Sequence, residues 1–133
     1  MSLIVVAAAL VRPDGAILAQ LRPPGGAHPG LWEFPGGKRE ADEHCREALV
    51  RELAEELGIE VDTADLTPCS FAVETRADTE LILLLFVCRS WTGTIEALHA
   101  TEYRWVAPED LPLLDMPPAD MPLALALADL FAD

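Results

Sequence analysis

Apolar residues run unbroken from Leu3 to Val11, stop at "RPDG", and resume at Ala16. A turn tetrapeptide between two extended apolar segments predicts two strands, at about residues 3–12 and 16–22. The next stretch, "RPPGGAHPGLWEFPGG", is too dense in Pro and Gly for a regular helix or a central strand and reads as a long loop. From about Asp42 the period changes. Leu49, Leu53 and Leu57 recur every fourth residue with Val50 beside them, which predicts a helix that Gly58 is suited to stop. "CSFAVETR" and "TELILLLFVCRSW" then read as two strands, the second apolar enough to be covered on both faces. "TEYRWVA" is a shorter strand, "PEDLPLLDMPPAD" is broken by prolines, and "MPLALALADLFAD" is a terminal helix with a Pro near its first turn.

Strands and helices in this order suggest a mixed sheet with helices packed on its faces, hence an α/β chain. The 133 residues are the size of one domain, with neither repeats nor an inter-domain linker, so a single domain over 1–133 is expected. The apolar start has the length of a secretory signal but no Lys or Arg ahead of it. Without a later segment long enough to span a bilayer, the expectation is a soluble, cytoplasmic protein.

Charge narrows the partners. The chain carries 23 acidic and 9 basic residues, a formal charge of −14, which repels nucleic acid polymers and anionic membranes. Cys45, Cys69 and Cys88 are odd in number and widely spaced, as are His28, His44 and His99, which argues against a zinc site and for free thiols in a reducing compartment.

The acid is concentrated in "GGKREADEHCREALVRELAEELGI", which holds Glu40, Glu43, Glu47, Glu52, Glu55 and Glu56. On a helix, Glu52, Glu55 and Glu56 stand at i, i+3 and i+4 and share one face, adjoining the leucines. Like charges this close repel. Either the face is simply solvated, or it holds hard divalent cations, Mg²⁺ or Mn²⁺, which take oxygen ligands.

Spacing separates the two readings. From Gly37 the chain runs five residues to Glu43, seven more to Arg51, then "RELAEELGI" through Gly58 to an apolar Ile59. Gly, five residues, Glu, seven residues, Arg-Glu-apolar-any-Glu-Glu-any-Gly-apolar is the full signature of the Nudix family, which the chain resembles with no position missing. A chance match at a given start is on the order of one in a billion at ordinary residue frequencies.

The resemblance implies an α/β/α sandwich whose signature forms a loop, a helix and a turn, and hydrolysis of a nucleoside diphosphate linked to another group with Mg²⁺ or Mn²⁺. Glu52, Glu55 and Glu56 match the family's metal ligands, with the Gly36 carbonyl as a further one, and Glu52 is the leading candidate for activating water. Arg51, one turn before Glu55, is placed to orient a carboxylate, and Glu43 to support the site from behind. Gly36 and Gly37 are expected to let the backbone approach the metal.

"GLWEFPGGK", the loop from Arg22 and "PPAD" resemble the MutT-type branch, which converts nucleoside triphosphates to the monophosphate and pyrophosphate, including oxidised ones such as 8-oxo-dGTP. Arg22 and Lys38 match positions that face phosphate there, or are surface charge. Phe34 lines the base pocket or belongs to the core. Asp120 departs from the Asn that enzymes acting on 8-oxo-dGTP can carry. An ionised Asp accepts hydrogen bonds without donating, which suits the exocyclic amino group of cytosine, and "PPADMPL" is similar to the CTP pyrophosphohydrolase subgroup. A protonated Asp admits oxidised guanine, and a helix N-cap is the structural alternative. Relatives commonly place a further metal-reaching Glu where this chain has His99, with Glu96 and Glu102 three residues to either side.

The expected activity is therefore a metal-dependent nucleoside triphosphate pyrophosphohydrolase, monomeric or homodimeric, acting on modified or surplus nucleotides such as 8-oxo-dGTP or (d)CTP. The rivals are a Nudix hydrolase of a nucleotide sugar or dinucleotide, and a nucleotide-sensing module without turnover. The intact signature glutamates disfavour the last.

Overall fold

The computed structural model describes residues 2–26 and 28–132. Met1, Ala27 of the long loop and Asp133 at the end of the expected terminal helix lie outside them. Strands β1 (Ser2–Leu10), β2 (Ile17–Leu21), β3 (Trp32–Glu33) and β4 (Gly36–Lys38) precede helix α1 (Cys45–Leu57). Then follow β5 (Leu66–Thr75), β6 (Glu80–Cys88), β7 (Glu102–Val106) and helix α2 (Asp120–Leu130), with 3₁₀ turns at Thr63–Asp65 and Pro108–Leu113.

One sheet has the order β4-β1-β6-β5 and the other β3-β2-β7. Within the first, β1 runs parallel to β6 with Val6 opposite Leu84, whereas the β4 and β5 pairings are antiparallel, so the sheet is mixed. Alternation along β1 explains its unbroken apolar run. Val6, Ala8 and Leu10 face one cluster with Leu49, Leu53 and Leu57 of α1. Ala7 and Ala9 face a second with Leu123, Ala124 and Leu127 of α2. A strand covered on both faces has no polar side to show, and the result is the expected α/β/α sandwich.

Differences from the sequence reading have local causes. The Pro/Gly-rich loop contains β3 and β4, both at sheet edges, where few backbone donors are needed from a strand. Helix α1 begins at Cys45 rather than Asp42, because Glu43 is used in a turn in which its carboxylate accepts the Glu40 N–H at 3.0 Å. The helix is opened by His44, whose N–H donates to Glu47 Oε1 at 3.0 Å, and closed by Gly58 in the left-handed region at φ 70°. Strand β5 starts at Leu66 and runs through Pro68, which it tolerates at an edge with a register shift between Pro68 and Ser70. Among the described residues no helix is long and apolar enough to cross a membrane.

Candidate active site

A cleft of about 630 Å³ opens over the start of β1 and β6. Its floor is apolar, from Leu3, Val5, Leu81 and Leu83. The C-terminal half of α1 forms one wall with Glu52, Glu55 and Glu56, and the segment Pro117, Ala119 and Asp120 forms another. Arg22, Phe34, Gly36 and Lys38 also line it, so eight of the nine residues expected to catalyse, bind substrate or hold a metal meet there.

Arg51, the ninth, stands behind the wall. Its Nε and Nη2 donate to the two oxygens of Glu43 at 2.7 and 2.8 Å, and Nη1 donates to Glu52 Oε1 at 3.0 Å and Glu55 Oε2 at 3.4 Å. Nη2 also reaches the Lys38 carbonyl at 3.1 Å. The hydrogen bonds from Arg51 hold the Glu43 carboxyl down at about 2, and those from Glu43 and Glu52 hold the guanidinium in its charged form. Arg51 thus orients carboxylates, and Glu43 supports it from outside the cleft.

Glu56 is the buried member of the acidic face. Its Oε1 accepts from the Gly36 N–H at 3.0 Å and from Gln20 Nε2 at 3.1 Å, and burial pushes its carboxyl up to about 7, with Glu52 adding to the rise. The packing around the two glycines gives each a steric reason of its own. A Cβ on Gly36 would lie 1.9 Å from the Val6 carbonyl oxygen, so Gly36 is required by the pairing of β4 with β1. A Cβ on Gly37 would meet the Glu52 carboxylate at 2.4 Å, so Gly37 makes room for that side chain.

The acidic face has the chemistry for a hard cation: carboxylate oxygens on one wall, with a backbone carbonyl at Gly36 nearby. Its side chains are nonetheless tied elsewhere, Glu52 and Glu55 to Arg51 and Glu56 to Gln20 and Gly36. Among the described residues no three acidic, His or Cys side chains already converge as a cation cage.

At the other wall, Asp120 is the first residue of α2 but does not cap it. Its Oδ2 instead accepts the Phe34 N–H at 3.3 Å, across 86 residues of sequence. Burial pushes its carboxyl up to about 6, against the lowering effect of that bond. Phe34 belongs to the core cluster on the α2 side and also lines the cleft. Arg22 does not stand free toward phosphate but pairs with Glu33 at 3.2 Å.

Glu33 and Gln20 were not anticipated. Glu33 lines the cleft, and burial, reinforced by Asp120 and Glu56, pushes its carboxyl up to about 7 despite Arg22. The signal available in sequence was an acid inside "LWEFPGG", an apolar and turn-forming stretch where a surface charge has little business. Of Glu96, His99 and Glu102, it is the exposed His99 that lines the cleft.

The fold and cleft define an α/β sandwich that presents a helix face of glutamates to a cleft also lined by Arg22, Lys38 and Arg76. The NUDIX domain family matches residues 1–127, and the chain belongs to the Nudix hydrolase family. It is 40% identical over 134 residues to the CTP pyrophosphohydrolase of Escherichia coli K12, covering 99% of this chain and 96% of the relative. It is 34% identical over 118 residues to the nucleoside triphosphatase NudI of E. coli O139:H28, covering 80% and 84%. A MutT structure from work on Aliivibrio salmonicida and Vibrio cholerae superposes with a TM-score of 0.83 at 29% identity, covering 98% of this chain and 100% of that one.

Proposed function

We propose that the chain, acting as one domain, hydrolyses nucleoside triphosphates to the monophosphate and pyrophosphate, with cytidine nucleotides preferred. The observation that carries the choice of base is Asp120. Its carboxylate is buried at the wall opposite the acidic helix, with Oδ2 taken by the Phe34 N–H and Oδ1 left for a ligand. An acceptor in that place suits an exocyclic amino group, and Glu33 adds a second acidic side chain to the same cleft. The name of the E. coli relative, CTP pyrophosphohydrolase, supports the same reading.

Glu52, Glu55, Glu56 and the Gly36 carbonyl are the residues that would hold Mg²⁺ or Mn²⁺. A cation bound there supplies neutralisation of the phosphate oxygens and acidifies the attacking water. Glu52 would serve as the base for an attacking water, with its Oε1 held by Arg51. Lys38 and Arg22, the latter paired with Glu33, line the cleft and supply positive charge for the polyphosphate, and the apolar floor would keep water from beneath the base.

A second reading has its own observation. With the Asp120 carboxyl raised to about 6 and that of Glu33 to about 7, either group protonated donates a hydrogen bond to a guanine carbonyl, which admits 8-oxo-dGTP. Hydrolysis rates with Mg²⁺ over CTP, dCTP, 5-methyl-dCTP, 8-oxo-dGTP, dGTP, ADP-ribose and UDP-glucose, with products identified, test both. Cytidine preference with pyrophosphate released is the expected result. Preference for 8-oxo-dGTP selects the protonated form, and preference for ADP-ribose or UDP-glucose overturns the triphosphate reading.

A further inference from the structure

Gln20 sits in β2 with no exposed surface, between apolar neighbours Ala19 and Leu21. Its side chain crosses to α1, where Nε2 donates to Glu56 Oε1, the oxygen that also accepts the Gly36 N–H. Two donors on one oxygen fix the plane of the carboxylate and leave Oε2 as its free end. The amide's own Oε1 is buried and has no partner among the described residues. A buried acceptor without a donor is unfavourable, so the side chain does not hold this orientation for its own sake. Turning the amide over would press Oε1 against the carboxylate and take the donor away. A side chain needed for packing alone would be served there by Met or Leu.

We propose that Gln20 is the positioning residue for Glu56: it holds one carboxylate oxygen so that the other is presented to a cation in the cleft. This rests on the reading of Glu56 as a cation ligand. Gln20 touches neither substrate nor reacting atoms, and its effect travels through Glu56 alone.

The test is Mn²⁺ binding to the nucleotide-free protein, read from the loss of the free-ion electron paramagnetic resonance signal, in Gln20→Met, Glu56→Gln and the double variant. Methionine matches glutamine in length and removes both the donor and the orphaned acceptor, so the melting temperature is expected to hold. Gln20→Met is expected to weaken Mn²⁺ binding about tenfold, the worth of one charge-assisted hydrogen bond. In the Glu56→Gln background the same substitution is expected to add nothing, because the group it acts through is gone. With nucleotide, kcat should fall while KM stays within about twofold. Mn²⁺ affinity unchanged in a folded Gln20→Met, or losses that add in the double variant, overturns the role of Gln20 while leaving that of Glu56. Binding unchanged in Glu56→Gln overturns the cation reading itself, and this inference with it. Should Gln20→Met not fold, Gln20→Leu, smaller and equally without a donor, is read by the same criteria.

Discussion

Arg51 grips Glu43 by both carboxylate oxygens, at 2.7 and 2.8 Å, and with the hand it has left it holds Glu52 at 3.0 Å. The guanidinium fork is what makes this geometry possible, since its nitrogens address different carboxylates in one plane. Arg51→Lys keeps the charge and loses the fork. It is expected to cost about tenfold or more in kcat/KM, as supporting contacts around a metal site do. Because the Glu43 carboxyl is held down at about 2 against an ordinary 4.5, the grip is complete above about pH 4.5 and lost only as pH falls toward 2. Hydrolysis and unfolding curves for Glu43→Gln at pH 7 should both differ from the parent, and the difference in unfolding should vanish in strong acid.

Glu52→Gln removes the group proposed to take the water's proton while keeping its shape. A fall in kcat of about 10² or more with an unchanged circular dichroism spectrum and melting temperature is expected, the usual scale for a lost general base. Pyrophosphate release under saturating CTP measures it, and near-parental turnover would move the base to another carboxylate.

Gly36→Ala and Gly37→Ala separate folding from chemistry at adjacent positions. The first would drive a methyl into the Val6 carbonyl, which is backbone in the central sheet and has nowhere to go. A loss of more than about 4 kcal/mol, or an insoluble product, is expected. The second meets the Glu52 carboxylate, the mobile end of a side chain, so the fold should survive and activity should not. Urea denaturation alongside turnover for the two variants gives the comparison.

Asp120 sets up a pH-dependent test. Its carboxyl is raised from 3.8 to about 6, so the native state holds the proton more tightly than the unfolded chain does. The ionised group therefore costs no stability below about pH 4; the cost grows as pH rises and is complete above about pH 6. Asp120→Asn removes the charge and keeps an oxygen for the Phe34 N–H. A gain of about 2 to 3 kcal/mol at pH 8 and none at pH 4 is expected in urea unfolding, with KM for CTP raised about tenfold. A stability gain equal at both pH values would place the burial cost in some other group.

The acidic helix was legible because its information is local. Glu52, Glu55 and Glu56 are brought together by helical spacing alone, and Leu49, Leu53 and Leu57 say which face turns inward. The strands announced themselves by composition, and the continuous apolar run of β6 named it as interior. Gln20 and Glu33 were missed for the opposite reason. They become neighbours of the site through β2 pairing with β3, which sets Gln20 opposite Glu33, and no periodicity in a two-residue strand reveals that register. Asp120 falls between the two cases. It stands where a cap is expected, and what turned it away from α2 was the Phe34 N–H, left unpaired at the end of an edge strand far away in sequence.

The parallel pairing of β1 with β6 also decides when the catalytic wall comes into being. Ser2 lies opposite Glu80, so a ribosome must deliver most of the chain before β1, already able to pair with β4, gains β6 on its other side. Helix α1, synthesised long before β6, leans its leucines on Val6, Ala8 and Leu10 and has only the β1–β4 pair of that sheet to rest on until then. Long-range pairing of this kind slows folding, and it makes the cleft beside the glutamate face a late product of assembly. A nascent chain released before β6 would carry every residue of the signature and still have no cleft to put them in.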